Sequence, residues 1–219
     1  IYKMGNIKKK IFELSTMGLT DGVGAAIAAV FWFYIALQLG PENYGELSYL
    51  ISIAALVSGI AIFGSNHTIL VLTGKKVDIH ATLYMITMLA NVVGSIIIFI
   101  LFFNLGISLL IIGYSLFALV SADLLGRKLY KSYSKYIITQ KILLVVFGIG
   151  FYYLIGENGI LIGIGLSYTH LIIRIIKSFK NSKINFKVIK ERKKFIFNNW
   201  AIGITGLAYS SVDKLIIGS

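Results

Sequence analysis

The sequence predicts an all-α fold: a polytopic membrane helix bundle with six complete transmembrane helices and the start of a seventh. Three observations carry this. Of the 219 residues, 57% are hydrophobic and only 14% are charged. The apolar residues gather into runs of about 20, the length at which a helix rising 1.5 Å per residue crosses a hydrocarbon layer of roughly 30 Å. The basic residues fall on alternate connections between those runs. A mean hydropathy of +0.84 leaves too little polar surface to coat a soluble domain.

Taken in order, the runs are 14–39, 47–66, 81–103, 107–126, 137–155, 160–176 and 195 onward. They are too long and too uniformly apolar for barrel strands, so each must satisfy its backbone polar groups internally as a helix. The first run follows a basic start and contains small residues, as a signal peptide would. Its apolar part continues through FWFYIALQL and a second run follows closely, so it is read as a retained helix. The chain opens on Ile1 and ends inside the seventh run, and a fragment of a longer protein is expected.

The connections set the orientation. Lys3, Lys8, Lys9 and Lys10 precede the first run, and Lys75 and Lys76 lie between the second and third. Arg127, Lys128, Lys131 and Lys135 lie between the fourth and fifth, with Lys141 just inside the fifth. The stretch KSFKNSKINFKVIKERKK, 177–194, joins the sixth run to the seventh and is flanked by Arg174. The other connections, PENYGE, NLG and GENG, carry no Lys or Arg, so 20 of the 21 basic residues sit on one side. By the positive-inside rule that side, with the N-terminus, is expected to be cytoplasmic, in a plasma membrane. The net charge of +12 is then a matter of topology. A nucleic-acid partner is not expected, because the basic stretch holds no recognisable binding module and lies between two spans.

Within that stretch Lys180, Lys183, Lys187, Lys190 and Lys194 recur at helical spacing, with Phe179, Phe186 and Ile189 beside them. The pattern fits an interfacial helix with lysines toward anionic headgroups, or a flexible charged linker. The organisation expected is a six-helix lobe over 1–176, a basic linker over 177–194 and the start of a second lobe over 195–219.

Several chemistries lack their residues. The chain has no Cys, three scattered His and no phosphate-cradling GxxxxGK[ST] loop. The non-basic connections are too short for a catalytic domain, so neither enzymatic activity nor a cofactor is expected. Polar residues inside the runs are the remaining candidates, because each is costly there and faces either a wet cavity or another helix.

Tyr84, Thr87, Asn91 and Ser95 share one face of the third helix, and Gly163, Ser167, His170 and Arg174 one face of the sixth. Such stripes line a cavity or glue helices together, and glue is the preferred reading for the third helix. Arg174 and Lys141 lie about one turn inside their helices, from which a long side chain can snorkel to water. Asp123 and Arg127 stand four residues apart and are expected to pair. Asp21, too short to snorkel, needs a wet cavity or a cationic partner such as Arg174 or Lys141.

Two stretches resemble a known family. ALQLGPENYGELSYLISIAALVSGIAIFG, 36–64, resembles the turn between helices one and two of the oligosaccharide flippases of polysaccharide biosynthesis, through Ala36, Leu39, Gly40, Pro41, Tyr44 and Gly45. Gln38 stands where those proteins commonly carry a basic residue. SSVDKLIIGS, 210–219, resembles the start of their second half, through Asp213, Lys214 and Gly218. An offset of 182 residues also sets Ala36 against Gly218 and Gly24 against Gly206.

The resemblance implies a transporter of the multidrug/oligosaccharidyl-lipid/polysaccharide exporter superfamily, with two parallel six-helix lobes around a central cavity. It implies a polyprenyl-linked oligosaccharide as substrate and membrane lipids as surroundings, with a coupling cation as a further partner. The expected substrate-binding residues are Asp21, Asn91, Lys141, His170 and Arg174. Lys141 and Arg174 would offset phosphate charge, and Asp21 would orient one of them or hold the cation. Two other readings stay open: a cation-coupled multidrug antiporter of the same superfamily, and a non-transporting membrane scaffold for glycan assembly.

Overall fold

The structure is a computed structural model that describes the backbone of residues 2–182 and 184–217, and the side chains of 15–180, 182 and 184–203. Lys183 and Gly218, and the side chains of Asp213 and Lys214, lie outside the described residues.

The fold is all-helical among the described residues: α1 (Tyr2–Ile62), α2 (Ser65–Gly74), α3 (His80–Phe102), α4 (Leu105–Gly126), α5 (Tyr130–Ile155), α6 (Glu157–Leu166), α7 (Ile172–Asn181) and α8 (Phe186–Ile217). A 3-10 turn, Thr169–Leu171, separates α6 from α7. Five segments are long and apolar enough to cross a membrane: Ser15–Ile62, His80–Phe102, Leu105–Gly126, Tyr130–Ile155 and Glu157–Lys180.

The expected count of six complete spans and the start of a seventh is therefore not matched. The first two expected spans form one 48-residue stretch that passes through Gly40 and Pro41. Gly40 turns the chain there with φ 72° and ψ 177°, which a residue without Cβ adopts at little cost, and Pro41 opens the following helix with no N–H to leave unpaired. At the other extreme, the described start of α8 carries six charged residues between Lys187 and Lys194, so it does not qualify as an apolar span.

α4 sits at the centre, in contact with α1, α2, α3, α5 and α6. Leu110, Ile111, Leu119 and Val120 of α4 are buried to within 1%. α5 and α6 pack through glycine: a Cβ on Gly159 or Gly163 would run into the carbonyls of Phe151 or Phe147. Such small residues four apart let two backbones approach in a medium where apolar burial offers little drive. The outer faces of α1, α3 and α5 expose Val30, Phe33, Ile97, Leu101, Val146 and Leu154, as lipid-facing positions do.

The connections segregate to two ends. At one, residues of the turns 75–79 and 127–129 line a common cavity with Ser182 and the basic residues Lys76, Arg127, Lys128, Arg174 and Lys177. At the other, Asn43 donates to Glu157 at 2.8 Å and Asn104 to Asn158 at 3.4 Å. The alternation of charge along the sequence thus becomes one basic end and one neutral to acidic end.

The stretch 177–194 is not a single helix. Ser182 is extended (φ −139°, ψ 140°), Asn185 accepts from Lys187 N at 3.0 Å to cap α8, and Asn185 N donates to Thr82 at 2.8 Å. These short polar side chains offer the backbone an alternative to continued helix, which divides the lysine stripe between α7 and α8. α8 then docks on a break between α1 and α2, where Phe63 and Gly64 have φ of 51° and 64°. A Cβ on Gly64 would lie 2.5 Å from Trp200 N, and Trp200 Nε1 donates to Ile60 O at 3.2 Å.

Candidate functional site

Asp123 is 1% exposed and holds two guanidinium groups. Arg127 Nε donates to one carboxylate oxygen at 2.6 Å, and Arg174 Nη2 donates to the other at 3.1 Å. The first pair follows from helical spacing on α4, as the sequence suggests. The second joins α7 to α4 across 51 residues. A carboxylate this deep is tolerable only because both oxygens receive charged donors. Arg127 reaches further, donating from Nη2 to His80 Nε2 at 2.8 Å, and Ser182 Oγ lies 2.7 Å from the same nitrogen. One buried carboxylate thereby ties the starts or ends of α3, α4 and α7 together.

Arg174, expected in a substrate-binding role and as a partner for Asp21, is thus charge-matched by Asp123. Asp21 instead accepts from Tyr133 of α5 at 3.0 Å and is exposed. Lys141, from the same helix as Tyr133, lies against Gly24 of α1, with Cγ 3.5 Å from where a Cβ would stand. Among the described residues no carboxylate lies within ion-pair distance of Lys141. The α1–α5 face therefore presents the exposed carboxylate of Asp21 on α1 and, packed against Gly24 one turn further along α1, the half-buried Lys141 of α5, with no carboxylate partner among the described residues.

His170 falls at the break in the sixth apolar segment, midway along Glu157–Lys180. Ser167 Oγ donates to Ile164 O at 2.6 Å and Thr169 Oγ1 to Leu166 O at 2.8 Å. These back-bonds compete with the helical ladder and tighten it into the 3-10 turn, without any proline. His170 stacks on Tyr136 of α5 at 5.8 Å, and Gln140, one turn along α5, donates to Ser167 Oγ at 3.1 Å. Gln140 Oε1 is buried with no hydrogen-bond partner. Lys141 and the break therefore flank a single turn of α5.

Asn91 stands apart from these groups. It is fully buried on α3, its amide donating to Thr87 O at 2.8 Å while Oδ1 has no partner. Its stripe works in helix contacts: Thr87 donates to Ser65 of α2 at 2.8 Å, and Ser95 and Ser108 exchange hydroxyl-to-carbonyl bonds between α3 and α4. No face of this stripe opens on the α1–α5 surface where Asp21 and Lys141 lie.

Sequence reasoning missed the cavity at the basic end, of about 790 Å³, lined by Lys76, Lys128, Lys177, Ser178 and Thr73 beside the Asp123 cluster. A signal was present in two similar stretches, Gly74-Lys-Lys-Val77 and Gly126-Arg-Lys-Leu129. Each ends a helix in a Schellman motif: Lys76 N donates to Thr73 O and Val77 N to Leu72 O, while Lys128 N donates to Leu125 O and Leu129 N to Leu124 O. Among the described residues no group of three or more His, Asp or Glu is placed to hold a metal ion.

Against family models, curated proteins and solved structures, the chain gives no match in any of the three comparisons.

Proposed function

We propose that the chain is the N-terminal lobe of a membrane transporter that flips a lipid-linked oligosaccharide, a polysaccharide precursor, across the cytoplasmic membrane by alternating access. Its basic end faces the cytoplasm. The observation that carries the reading is the α1–α5 face: an ammonium at Lys141 without a carboxylate partner, beside an exposed Asp21 and a broken helix at midspan. An unpaired cation inside a span is costly unless a ligand or water meets it, and discontinuous helices at that depth are where transporters build their sites.

Lys141 would offset the phosphate charge of the headgroup, and the Tyr133 hydroxyl on the same helix would meet a sugar hydroxyl, while Gln140 and His170, bonded to Ser167 and to the carbonyls of Ser167 and Tyr136, would hold the break in place. The tail would remain in lipid, and the step needs no covalent chemistry. Arg174 would act at one remove, holding α7 to α4 through Asp123.

The test is flipping of a fluorescent polyprenyl-linked oligosaccharide in proteoliposomes of the full-length protein. Wild type is expected to flip, and Lys141→Ala to flip at least about tenfold more slowly, equivalent to about 1.4 kcal/mol of lost stabilisation. A folded wild type that leaves the probe in its original leaflet overturns the proposal. A second reading, cation-coupled export of an organic cation, is favoured by the exposed carboxylate of Asp21. It requires Asp21→Asn to abolish efflux driven by a proton or sodium gradient.

A further inference from the structure

The cavity at the basic end has its own chemistry, separate from the α1–α5 face and independent of whether the chain transports anything. Its wall carries five basic side chains, Lys76, Arg127, Lys128, Arg174 and Lys177, against two carboxylates, Asp78 and Asp123, an excess of three formal positive charges. Both oxygens of Asp123 are already taken by Arg127 and Arg174. Asp78 is exposed and lies 3.4 Å from His80 Nε2. That leaves three exposed lysines, from three separate elements, around one space of about 790 Å³, none of them within ion-pair distance of a carboxylate among the described residues.

Two hydroxyls add a second, independent observation. Thr73 Oγ1 and Ser178 Oγ are buried, in residues only 9% and 8% exposed, and neither has a hydrogen-bond partner. Both residues line this cavity. A buried hydroxyl without a partner costs free energy, so a group that supplies acceptor oxygens there removes a penalty as well as gaining contacts.

Backbone geometry points the same way. Lys76 and Lys128 both hold φ of 59°, the left-handed position after a helix that glycine occupies at least cost. Each turn spends local stability on a lysine where glycine would relax it, and the two turns deliver both ammonium groups to one rim.

We propose that the basic end of the bundle is a binding site for a phosphate-class anion, a phosphomonoester or diphosphate. Lys76, Lys128 and Lys177 supply the charge, and the Ser178 and Thr73 hydroxyls, sealed just beneath the wall, supply hydrogen bonds once their side chains rotate toward the ligand. A guanidinium pair fixed on a carboxylate gives the site a rigid floor, and compact, mobile ammonium groups at the rim close on oxygens from several directions. The same chemistry fits a lipid phosphate at the membrane surface and a soluble phosphate.

The test measures binding to the full chain, with no transport readout. Inorganic pyrophosphate is titrated against protein in neutral detergent, and bilayer nanodiscs of phosphatidylcholine with and without phosphatidic acid are compared for lipid retained on the protein. The triple variant Lys76→Gln/Lys128→Gln/Lys177→Gln is set against a control of equal charge loss outside the cavity, Lys187→Gln/Lys190→Gln/Lys194→Gln. Binding of either probe, weakened at least about tenfold in the cavity variant and less than about twofold in the control, supports the site. Pyrophosphate binding assigns a soluble anion, and retention of phosphatidic acid alone assigns a headgroup. Ser178→Ala is expected to weaken binding about threefold while leaving the melting temperature unchanged or raising it, since the buried hydroxyl it removes has no partner in the protein. Equal weakening in both triple variants reduces the effect to diffuse charge and overturns the site, as does a wild type that binds neither probe.

Discussion

Asp21 and Asp123 both stand within helices of this bundle, and the fold treats them oppositely. Asp123 is 1% exposed and receives two arginines from different helices, whereas Asp21 is exposed and receives one tyrosine hydroxyl. The same contrast runs through the cations, since Arg174 is paired and Lys141 is not. A fully compensated charge holds helices in place; an uncompensated one is costly to the protein alone and is retained where something else completes it. Charged residues in the spans therefore divide by what meets them rather than by depth.

The largest expected effect tests the compensated member. Asp123→Ala leaves Arg127 and Arg174 facing each other without an anion, and should cost about 3 kcal/mol, read as a fall in unfolding midpoint in detergent. Replacing the whole cluster, as Asp123→Leu/Arg127→Met/Arg174→Met, should return most of that loss, because a desolvated ion cluster breaks about even with apolar packing of similar volume. A triple variant no better than Asp123→Ala would mean that the cluster organises the helix ends by more than charge balance.

Arg174→Met comes next, with an expected loss of about 2 kcal/mol, since Asp123 keeps Arg127 and Arg174 is itself 24% exposed. Should glycolipid flipping fall in this variant only in proportion to its folded fraction, Arg174 is a positioning residue. A loss beyond that fraction would return it to the substrate. Tyr133→Phe, on the uncompensated side, removes a single hydrogen bond to an exposed acceptor and should cost about 0.5 kcal/mol.

How far the contrast could be read in advance depends on sequence distance. The helical class and the two-ended charge pattern were legible, because apolar runs and alternating basic connections are local features. Asp123 and Arg127 were legible as a pair because four residues on a helix fix their distance. Arg174 reaches the same carboxylate from 51 residues away, and no periodicity carries that contact. The break at 167–171 was hidden because it lacks proline and arises from the Ser167 and Thr169 hydroxyls bonding back to carbonyls. The span count differs at Gly40, where non-helical backbone separates two helices within one continuous 48-residue apolar stretch. The cavity was missed because its lysines were read as markers of topology. The Gly-basic-Lys-apolar pattern at both helix ends is the feature that should have prompted a search for convergence.

The smallest stability effect is the most informative. Lys141 packs its stem against Gly24, and its ammonium has no carboxylate within reach among the described residues. Methionine keeps the length and apolar contact of that stem while removing a charge that burial penalises. Lys141→Met should therefore leave the unfolding midpoint within about 0.5 kcal/mol of wild type or raise it slightly. If the proposed role is correct, the same variant loses flipping at least about tenfold, so stability and activity part company at this residue. Destabilisation comparable to that of Arg174→Met would place a hidden partner beside Lys141, and the division between compensated and uncompensated charges would have to be redrawn. Retained stability with retained flipping would locate the substrate's phosphate elsewhere and leave Asp21, with a cation, as the charge that matters on this face.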